Sequence, residues 1–327
     1  MTTLAPPSGP ETTTKVPFCI GCGSTETRSL LNVRGGRYVT CTGCGLVRND
    51  PLPPEEDLEA LAEYWSENHY LQEDKLRRKF DPQVQAMAYG RVLRELDPYR
   101  CSGRLLEIGC AAGSFLDAAA REDWLPTGIE LSKSTATYAR DKRGLDVRAG
   151  TISTVDLGGE RFDAVVMIDV IEHVYNPAHL LREAYKVLAP GGALLVMTPN
   201  VRSLGARVLR SDWEAYAPGD HLWLFDCATL PTLCEQAGYT IRKRWTIDCN
   251  PFALARSLRR LLLPTKEDAQ GAEATTKENL RTSIHKRNRL IGKMKSSRGL
   301  QLARALVNSV LTQLNLGDKL YLLVDRD

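Results

Sequence analysis

The stretch that decides the fold is Leu105-Leu106-Glu107-Ile108-Gly109-Cys110-Ala111-Ala112-Gly113-Ser114-Phe115. A short apolar run ends in an acidic residue, and a loop of small residues then leads into a predicted helix. Gly109 and Gly113 allow the backbone to approach a ligand closely, with N–H groups pointing outward at the helix start. The pattern E-x-G-x-x-x-G lacks the second glycine of the dinucleotide fingerprint G-x-G-x-x-G. A carboxylate at the strand end therefore predicts a cationic amino group as ligand rather than a pyrophosphate.

A second acid, Glu130, closes the next predicted strand, 23 residues after Glu107. In a doubly wound sheet, an acidic residue at about this distance meets the hydroxyls of a ribose. Either acid alone could be a coincidence, but the two together at this spacing indicate a nucleotide-type ligand.

Short apolar runs alternate with helical stretches after Asp97-Pro98. Such alternation is typical of βαβ units and predicts an α/β fold, a doubly wound Rossmann-like sheet covered on both faces. The predicted strands are Arg104–Ile108, Pro126–Glu130, Asp146–Ala149, Phe162–Ile168, Ala193–Thr198, Tyr239–Ile247 and Lys319–Val324. The predicted helices are Ser114–Glu122, Ser132–Lys142, His179–Leu188 and Thr229–Ala237.

Composition excludes several classes of protein. The chain has 327 residues with 43 basic and 40 acidic side chains, and this near-neutral balance gives no global case for nucleic-acid binding. No apolar run approaches the ~18–20 residues of a membrane-spanning helix. Residues 1–15 are rich in Thr and Pro without an apolar core, which predicts a flexible leader rather than a secretory signal. An odd total of nine cysteines argues against a disulfide framework and favours a reduced, cytoplasmic protein.

Four cysteines form two C-x-x-C pairs, Cys19/Cys22 and Cys41/Cys44, separated by 18 residues. This spacing matches the zinc-ribbon template, and glycines beside the cysteines permit the tight turns. A redox C-x-x-C pair is the alternative, but the βαβ context of thioredoxin-like proteins is missing. We predict a structural zinc ribbon over residues 16–50, serving as a clip that orders the N-terminal region. Binding of a substrate or a carrier is the alternative role.

A helical linker or lid is predicted over residues 51–97, opening with the helix-start signature Asp50-Pro51-Leu52-Pro53 and breaking near Asp81-Pro82. The main domain then spans residues 98–327. It includes a long helical insertion, residues 253–314, with 13 Lys+Arg against 4 Asp+Glu. A solvated helical face is one explanation of this charge. A lid that recognises an anionic substrate, such as a nucleotide-sugar or an acyl-carrier phosphate, and an RNA-binding face are others.

These motifs resemble those of class I S-adenosylmethionine-dependent methyltransferases, from about Tyr99 to the C-terminus. Glu107, Gly109 and Gly113 match the first family motif, Glu130 matches the ribose-binding acid, and 162–169 and 188–197 match the motifs around strands four and five. The resemblance implies a seven-stranded sheet that ends in an antiparallel hairpin, with S-adenosylmethionine as cofactor.

The resemblance also implies roles for individual residues. Glu107 and the loop Gly109, Cys110, Ala111 and Gly113 would hold the methionine part, and Glu130 the ribose. Leu131 would pack on the adenine, and Thr151 and Ile152 would contact it, although they depart from the acidic residue often found there.

The N-terminal half resembles bacterial methyltransferases of sugar and natural-product pathways, including sugar C-methyltransferases. A ribbon followed by Asp50-Pro-Leu-Pro carries this resemblance, together with Thr198-Pro199-Asn200, Trp213 and the stretch from His221 to Phe225. The third, C-terminal domain of that group is not evident, which leaves a sugar substrate open.

Methyl transfer requires alignment of the nucleophile with the methyl group and removal of a proton from a hydroxyl or a carbon acid. We predict His221 as general base, oriented by Asp220 or a neighbour; a histidine that only hydrogen-bonds its loop is the alternative. Asp169 is predicted to line the site. The stretch Asp169-Val-Ile-Glu172-His173 resembles one in quinone O-methyltransferases, where acidic residues can bind a divalent ion.

The remaining candidates have weaker support. A structural role for Glu172 and His173, capping the next helix, is the alternative to a role for His173 in catalysis. His69 and Tyr70 either reach over the pocket or only pack, and His179 and His285 look like ordinary helix-surface residues.

Three functions are consistent with these features. The first is methylation of a small molecule at oxygen, nitrogen or carbon. An anionic or carrier-linked acceptor is one alternative within this function. The second is methylation of RNA, as in ribosomal RNA enzymes that also join a zinc module to this fold. Against the second stand the neutral overall charge, the absence of aromatic residues between Phe252 and Tyr321, and the lack of an Asn-Pro-Pro-aromatic motif. The third is a non-catalytic binding module that keeps the cofactor fold. The sequence does not indicate the oligomeric state.

Overall fold

The computed structural model describes residues 18–33, 35–247 and 309–327, without the side chain of His69. The predicted leader, residues 1–15, lies outside the described residues. Residues 253–308 of the predicted basic insertion also lie outside them. In the described part of the chain, none of the helices has the length and apolar character needed to cross a membrane.

Two sheets contain all of the strands in the described residues. These strands are β1 (Thr27–Val33), β2 (Gly36–Cys41), β3 (Val47–Asp50), β4 (Arg104–Ile108), β5 (Leu125–Glu130), β6 (Asp146–Ala149), β7 (Phe162–Ile168), β8 (Leu188–Pro199), β9 (Trp223–Leu224), β10 (Thr240–Ile247) and β11 (Lys319–Asp325).

The large sheet has the strand order β10-β11-β8-β7-β4-β5-β6. Strands β4 to β8 run parallel, whereas β11 lies antiparallel between β8 and β10. The predicted doubly wound, seven-stranded α/β sheet with its terminal antiparallel hairpin is therefore confirmed. Strands β5 and β6 are added on one side of β4, and β7 and β8 on its other side, so the order of the strands reverses between β4 and β7. Ligands of such folds bind outside the carboxyl ends of the strands at this point.

Helices cover both faces of this sheet. The α-helices of the described residues are α1 (Asp57–Trp65), α2 (Glu73–Lys79), α3 (Pro82–Leu96), α4 (Ser114–Arg121), α5 (Lys133–Arg143), α6 (Pro177–Val187), α7 (Leu204–Leu209) and α8 (Thr229–Gln236), with a π-helical turn at Ser66–Tyr70. The predicted break at Asp81-Pro82 is confirmed, since the Asp81 carboxylate caps α3 by accepting from the N–H groups of Gln83 and Val84.

The core explains why the central strands are continuously apolar. On β7, Val165 and Met167 pack into one buried cluster, whereas Ala164 and Val166 pack into another on the opposite face. Because successive side chains of a strand point to opposite faces, a strand covered on both sides needs apolar residues at every position.

Two boundaries differ from the sequence prediction by five residues or more, and the other differences are of one or two residues. Strand β8 begins at Leu188 rather than at Ala193, because Gly191 and Gly192 exchange backbone hydrogen bonds with Arg326 and so extend the sheet. The helix start expected at Asp50 falls at Asp57, because Asp50 ends β3 and Leu52 is fully buried.

The second sheet joins distant parts of the chain in the order β1-β2-β3-β9, with all neighbours antiparallel. Strands β1 to β3 belong to the cysteine-containing region, whereas β9 follows β8 of the large sheet. Trp223 and Leu224 of β9 pair with Arg48 and Val47 of β3. The loop that leads into β9 therefore lies between the two sheets.

Candidate active site

A cavity of about 490 Å³ opens at the carboxyl ends of the parallel strands. Its floor comes from the residues that end β4, β5 and β7, and α1 together with the π-helical turn contributes the opposite wall through Leu58, Leu61, Ala62, Trp65 and Tyr70. The volume falls within the roughly 300–1,000 Å³ of small-molecule pockets. The amphipathic pattern of α1 indicates burial but not the partner, so the sequence alone did not identify these wall residues.

Glu107, near the end of β4, is buried, and its Oε2 has no hydrogen-bond partner among the described residues. Burial raises the pKa of this carboxyl well above its usual value, and the nearby charge of Glu130 adds to the effect. A buried carboxylate oxygen without a donor is costly unless a ligand supplies one. An ammonium group would fit.

Glu130 ends β5 and is fixed by two backbone donors. Its Oε2 accepts from Ala111 N–H at 2.8 Å, and its Oε1 accepts from Ser132 N–H at 2.9 Å. Burial raises the pKa of Glu130, while these hydrogen bonds oppose the rise. Because each carboxylate oxygen has a second lone pair, Glu130 can still accept from two neighbouring hydroxyls.

The loop after β4 is shaped by close packing beneath it. Gly109 and Gly113 have φ angles of 70° and 83°. A Cβ at Gly109 would lie 2.5 Å from the side chain of Val170, and one at Gly113 would lie 2.3 Å from Leu145. Both positions therefore require glycine, although Gly113 faces the helix layer rather than the cavity.

The predicted cofactor residues divide into two groups. Gly109, Ala111, Glu130, Leu131, Thr151, Ile152 and Asp169 line the cavity. Glu107, Cys110 and Gly113 lie behind this wall; Cys110 is buried and packs beneath Gly128.

Asp169 follows β7 in a left-handed conformation with φ of 52°. Its N–H donates to the carbonyl of Met197, and its Oδ1 accepts from Nζ of Lys319 at 2.5 Å. Lys319 begins β11, and no pattern in the sequence pointed to it. The pair places a positive and a negative charge at the edge of the cavity.

Two imidazoles meet beside Asp169. The rings of His173 and His221 are 4.7 Å apart in an edge-to-face arrangement. His173 lies on the cavity wall, and its Nδ1 is 3.1 Å from Oδ1 of Asp220 and 2.9 Å from the carbonyl of the same residue. His221 lies behind it and is oriented by a hydrogen bond between its Nδ1 and the Ala215 carbonyl at 2.8 Å.

The surroundings separate the pKa values of the two imidazoles. Burial alone would lower the pKa of His173, but the hydrogen bond to Asp220 and the charge of Glu172 raise it to about 9. Burial lowers the pKa of His221 to about 4, and the positive charge of His173 contributes. At neutral pH, His173 is a cation and His221 is neutral with one nitrogen lone pair.

Glu172 lies against the histidine pair and is fully buried. Its Oε2 accepts from the Thr198 hydroxyl at 2.9 Å, and burial raises its pKa to about 7. The interpretation that Glu172 and His173 cap the next helix is wrong, since the side chain of Asn176 caps α6. Both residues are instead held by tertiary contacts.

The other predicted histidines have different positions. Tyr70 lines the cavity, which is one of the two alternatives given for it, whereas the side chain of its neighbour His69 is outside the described residues, as is His285. His179 is half exposed, as a surface residue should be, but it also lines the cavity and bonds to the hydroxyl of Ser153 at 3.1 Å.

The four cysteines converge as their spacing predicts. The sulfur atoms of Cys19 and Cys44 are 3.6 Å apart, those of Cys22 and Cys41 are 3.5 Å apart, and all four lie within 4.8 Å of one another. Zinc–sulfur bonds of about 2.3 Å in a tetrahedron require sulfur separations of roughly 3.8 Å. The donor set and its dimensions are compatible with a closed zinc site.

Comparison with known proteins decides the family. A family model described as a methyltransferase domain matches residues 64–244, more than half of the chain. The chain is a class I S-adenosylmethionine-dependent methyltransferase. The resemblance inferred from Glu107, the glycine loop and Glu130 is thereby confirmed at the level of family, fold and cofactor.

Two relatives of this methyltransferase differ in how specifically their function is described. A probable S-adenosylmethionine-dependent methyltransferase of Mycolicibacterium smegmatis is 30% identical over 202 residues, covering 58% of this chain and 66% of that protein. A ubiquinone biosynthesis O-methyltransferase of a Caulobacter strain is 36% identical over 132 residues, covering 37% of this chain and 52% of that protein. The matched region thus spans between half and two thirds of these relatives.

Solved structures show a looser likeness. A Thermotoga maritima methyltransferase, described as a possible histamine N-methyltransferase, is 20% identical with a TM-score of 0.48, covering 81% of this chain and all of that one. At this level of similarity the fold assignment rests on the strand order of the present sheet and on the family match.

Proposed function

We propose that this methyltransferase methylates a small-molecule acceptor, a sugar or natural-product intermediate, at an oxygen or carbon atom that must lose a proton. The observation that carries the proposal is one cavity with Glu130 and His173 on its wall, Glu107 behind the strand ends and His221 behind His173. An acceptor whose nucleophilic atom carries no acidic proton would have no use for the neutral imidazole of this pair. The ubiquinone O-methyltransferases among the relatives are consistent with a hydroxyl acceptor.

The cofactor half of the site is assigned to the carboxylates and the loop. Oε2 of Glu107, which has no hydrogen-bond partner among the described residues, would accept from the methionine ammonium group, and Glu130 would accept from the ribose hydroxyls. Leu131, Thr151 and Ile152 line the part of the cavity beyond Glu130, where an adenine would lie. Backbone N–H groups already fix Glu130, so little ordering is needed on binding.

The acceptor half is assigned to the histidine pair. When bound, S-adenosylmethionine supplies an electrophilic methyl group on a sulfonium sulfur. The proton of the acceptor's nucleophilic atom would pass to the nitrogen lone pair of neutral His221. The positive charge of His173, held by Asp220, stabilises the negative charge that develops on the acceptor. Asp169, fixed by Lys319, orients the acceptor at the cavity edge.

We also propose that the four cysteines hold structural zinc. Four thiolates complete the tetrahedral coordination, so no position is left for a catalytic water.

The function is tested by methyl transfer from S-adenosylmethionine labelled at the methyl group, followed by mass spectrometry. Hydroxylated sugars, nucleotide-sugars, phenols and carrier-linked intermediates serve as acceptors, and total RNA serves as the rival acceptor. We expect label on a small molecule and none on RNA. Label on RNA alone would overturn the proposal in favour of an RNA methyltransferase.

The pH dependence tests the charge of His173. Its pKa is raised above the usual 6.5, so its ion pair contributes fully to stability below pH 6.5 and is lost as the pH rises through about 9. We expect kcat to fall through the same range as the cation disappears. The measurement is kcat against pH for the wild type and for His173→Gln, in which the alkaline fall should vanish. An identical alkaline fall in His173→Gln would assign it to another group.

A further inference from the structure

The sheet of the cysteine region is completed by the strand that follows His221. Trp223 and Leu224 form β9 and pair with β3, and Asn49 N–H donates to the carbonyl of Leu222 at 2.9 Å. The ribbon region, residues 18–50 of the described chain, is thus hydrogen-bonded to the loop of residues 215–222, which we name the acceptor loop.

Tyr38 makes a more specific contact with the acceptor loop. This β2 residue is fully buried, and its hydroxyl donates to the backbone carbonyl of His221 at 3.0 Å. Its ring lies 5.1 Å from the ring of Tyr216. Tyr38 is three residues before Cys41, one of the four clustered cysteines.

Close packing supports the same face of the loop. A Cβ at Gly36, the first residue of β2, would lie 2.8 Å from the Cβ of Pro218. A side chain at position 36 would therefore push the acceptor loop away from the ribbon region.

The opposite face of the acceptor loop carries the chemistry. Asp220 holds His173, and the carbonyl of Ala215 holds His221. At the end of the loop, the N–H groups of Leu222 and of the next residue, Trp223, donate to the carbonyl of Glu172 at 2.8 and 3.1 Å. The loop is therefore clamped between β2 and β3 on one side and the end of β7 on the other.

We infer that the ribbon region positions the acceptor loop, and that Tyr38 is the positioning residue that fixes the backbone at His221. The cysteine site then supports the acceptor half of the active site. This role goes beyond the predicted one, in which the ribbon is a clip that orders the N-terminal region. The effect on turnover rests on the proposed function, in which His221 takes up the proton. A displacement of about 1 Å between reacting groups can reduce a rate by about 100-fold.

Tyr38→Phe tests the inference because it removes one hydroxyl and keeps the buried ring. We expect faster amide hydrogen exchange in residues 215–224, unchanged exchange in β4 and β5, and unchanged calorimetric affinity for S-adenosylmethionine. With an acceptor found in the labelling experiment, kcat should fall between about tenfold and 100-fold. Gly36→Ala, which acts on Pro218, should give the same local change in exchange.

The matched control is Tyr239→Phe. Tyr239 is also buried, and its hydroxyl donates to the Leu181 carbonyl at 2.9 Å, away from the acceptor loop. Exchange in residues 215–224 that matches the wild type in both Tyr38→Phe and Gly36→Ala would overturn the inference. Equal changes in Tyr38→Phe and Tyr239→Phe would also overturn it, since they would reflect global stability. Faster local exchange with unchanged kcat would support positioning by Tyr38 and refute the proposed role of His221.

Discussion

His221→Asn is expected to lower kcat by about 100-fold to 10,000-fold, the usual contribution of a general base. Asn can keep a donor to the Ala215 carbonyl, so the loop should remain in place, but it has no basic nitrogen. Calorimetry should find wild-type affinity for S-adenosylmethionine, because His221 lies away from Glu107 and Glu130. The measurement is single-turnover methyl transfer with excess enzyme.

His221→Ala provides a graded comparison, since it loses both the base and the hydrogen bond. We expect it to be at least as slow as His221→Asn and also to lose thermal stability. Turnover of His221→Asn within threefold of the wild type would contradict the assignment. Oε1 of Glu172, which lies 4.0 Å from Nε2 of His173, would then be the next proton acceptor to test, since burial raises the pKa of this carboxyl to about 7.

Glu107→Gln is expected to weaken binding of S-adenosylmethionine by about tenfold to 100-fold, because a charge-assisted hydrogen bond contributes about 1.5–3 kcal/mol. The same substitution should leave the thermal stability of the cofactor-free protein equal or higher. Burial raises the pKa of Glu107, so its ionised form costs stability at any pH above the usual carboxyl range. Opposite effects on binding and stability distinguish a ligand-binding carboxylate from a structural one.

Glu130→Ala extends this test to the ribose side, with at least a tenfold loss of affinity, about 1.4 kcal/mol. The control is Glu122→Gln at the exposed end of α4, which should bind as the wild type does. Titrations use both S-adenosylmethionine and S-adenosylhomocysteine. Wild-type affinity in both Glu107→Gln and Glu130→Ala would remove the cofactor assignment of these residues.

The sequence by itself determined the fold and the cofactor class. Alternating apolar runs and helical stretches are local signals, because burial on both faces requires a continuously apolar strand such as β7. Acids at the ends of β4 and β5 lie at the same sheet edge, since parallel strands place their carboxyl ends together. The two C-x-x-C pairs predicted a four-cysteine cluster for a similar reason, as each pair forms one turn with both sulfurs on the same side.

Only the tertiary structure revealed the contacts on which the proposed acceptor half of the site rests. Asp220, adjacent to His221 in the chain, orients His173 instead, and Lys319 reaches Asp169 across 150 residues of sequence. Tyr38 meets the carbonyl of His221 because β9 adds to a sheet built from the N-terminal cysteine region. Periodicity shows which face of an element is buried, but it does not name the partner. The partner depends on how the sheets and helices pack, and that packing also separates the pKa values of the two histidines.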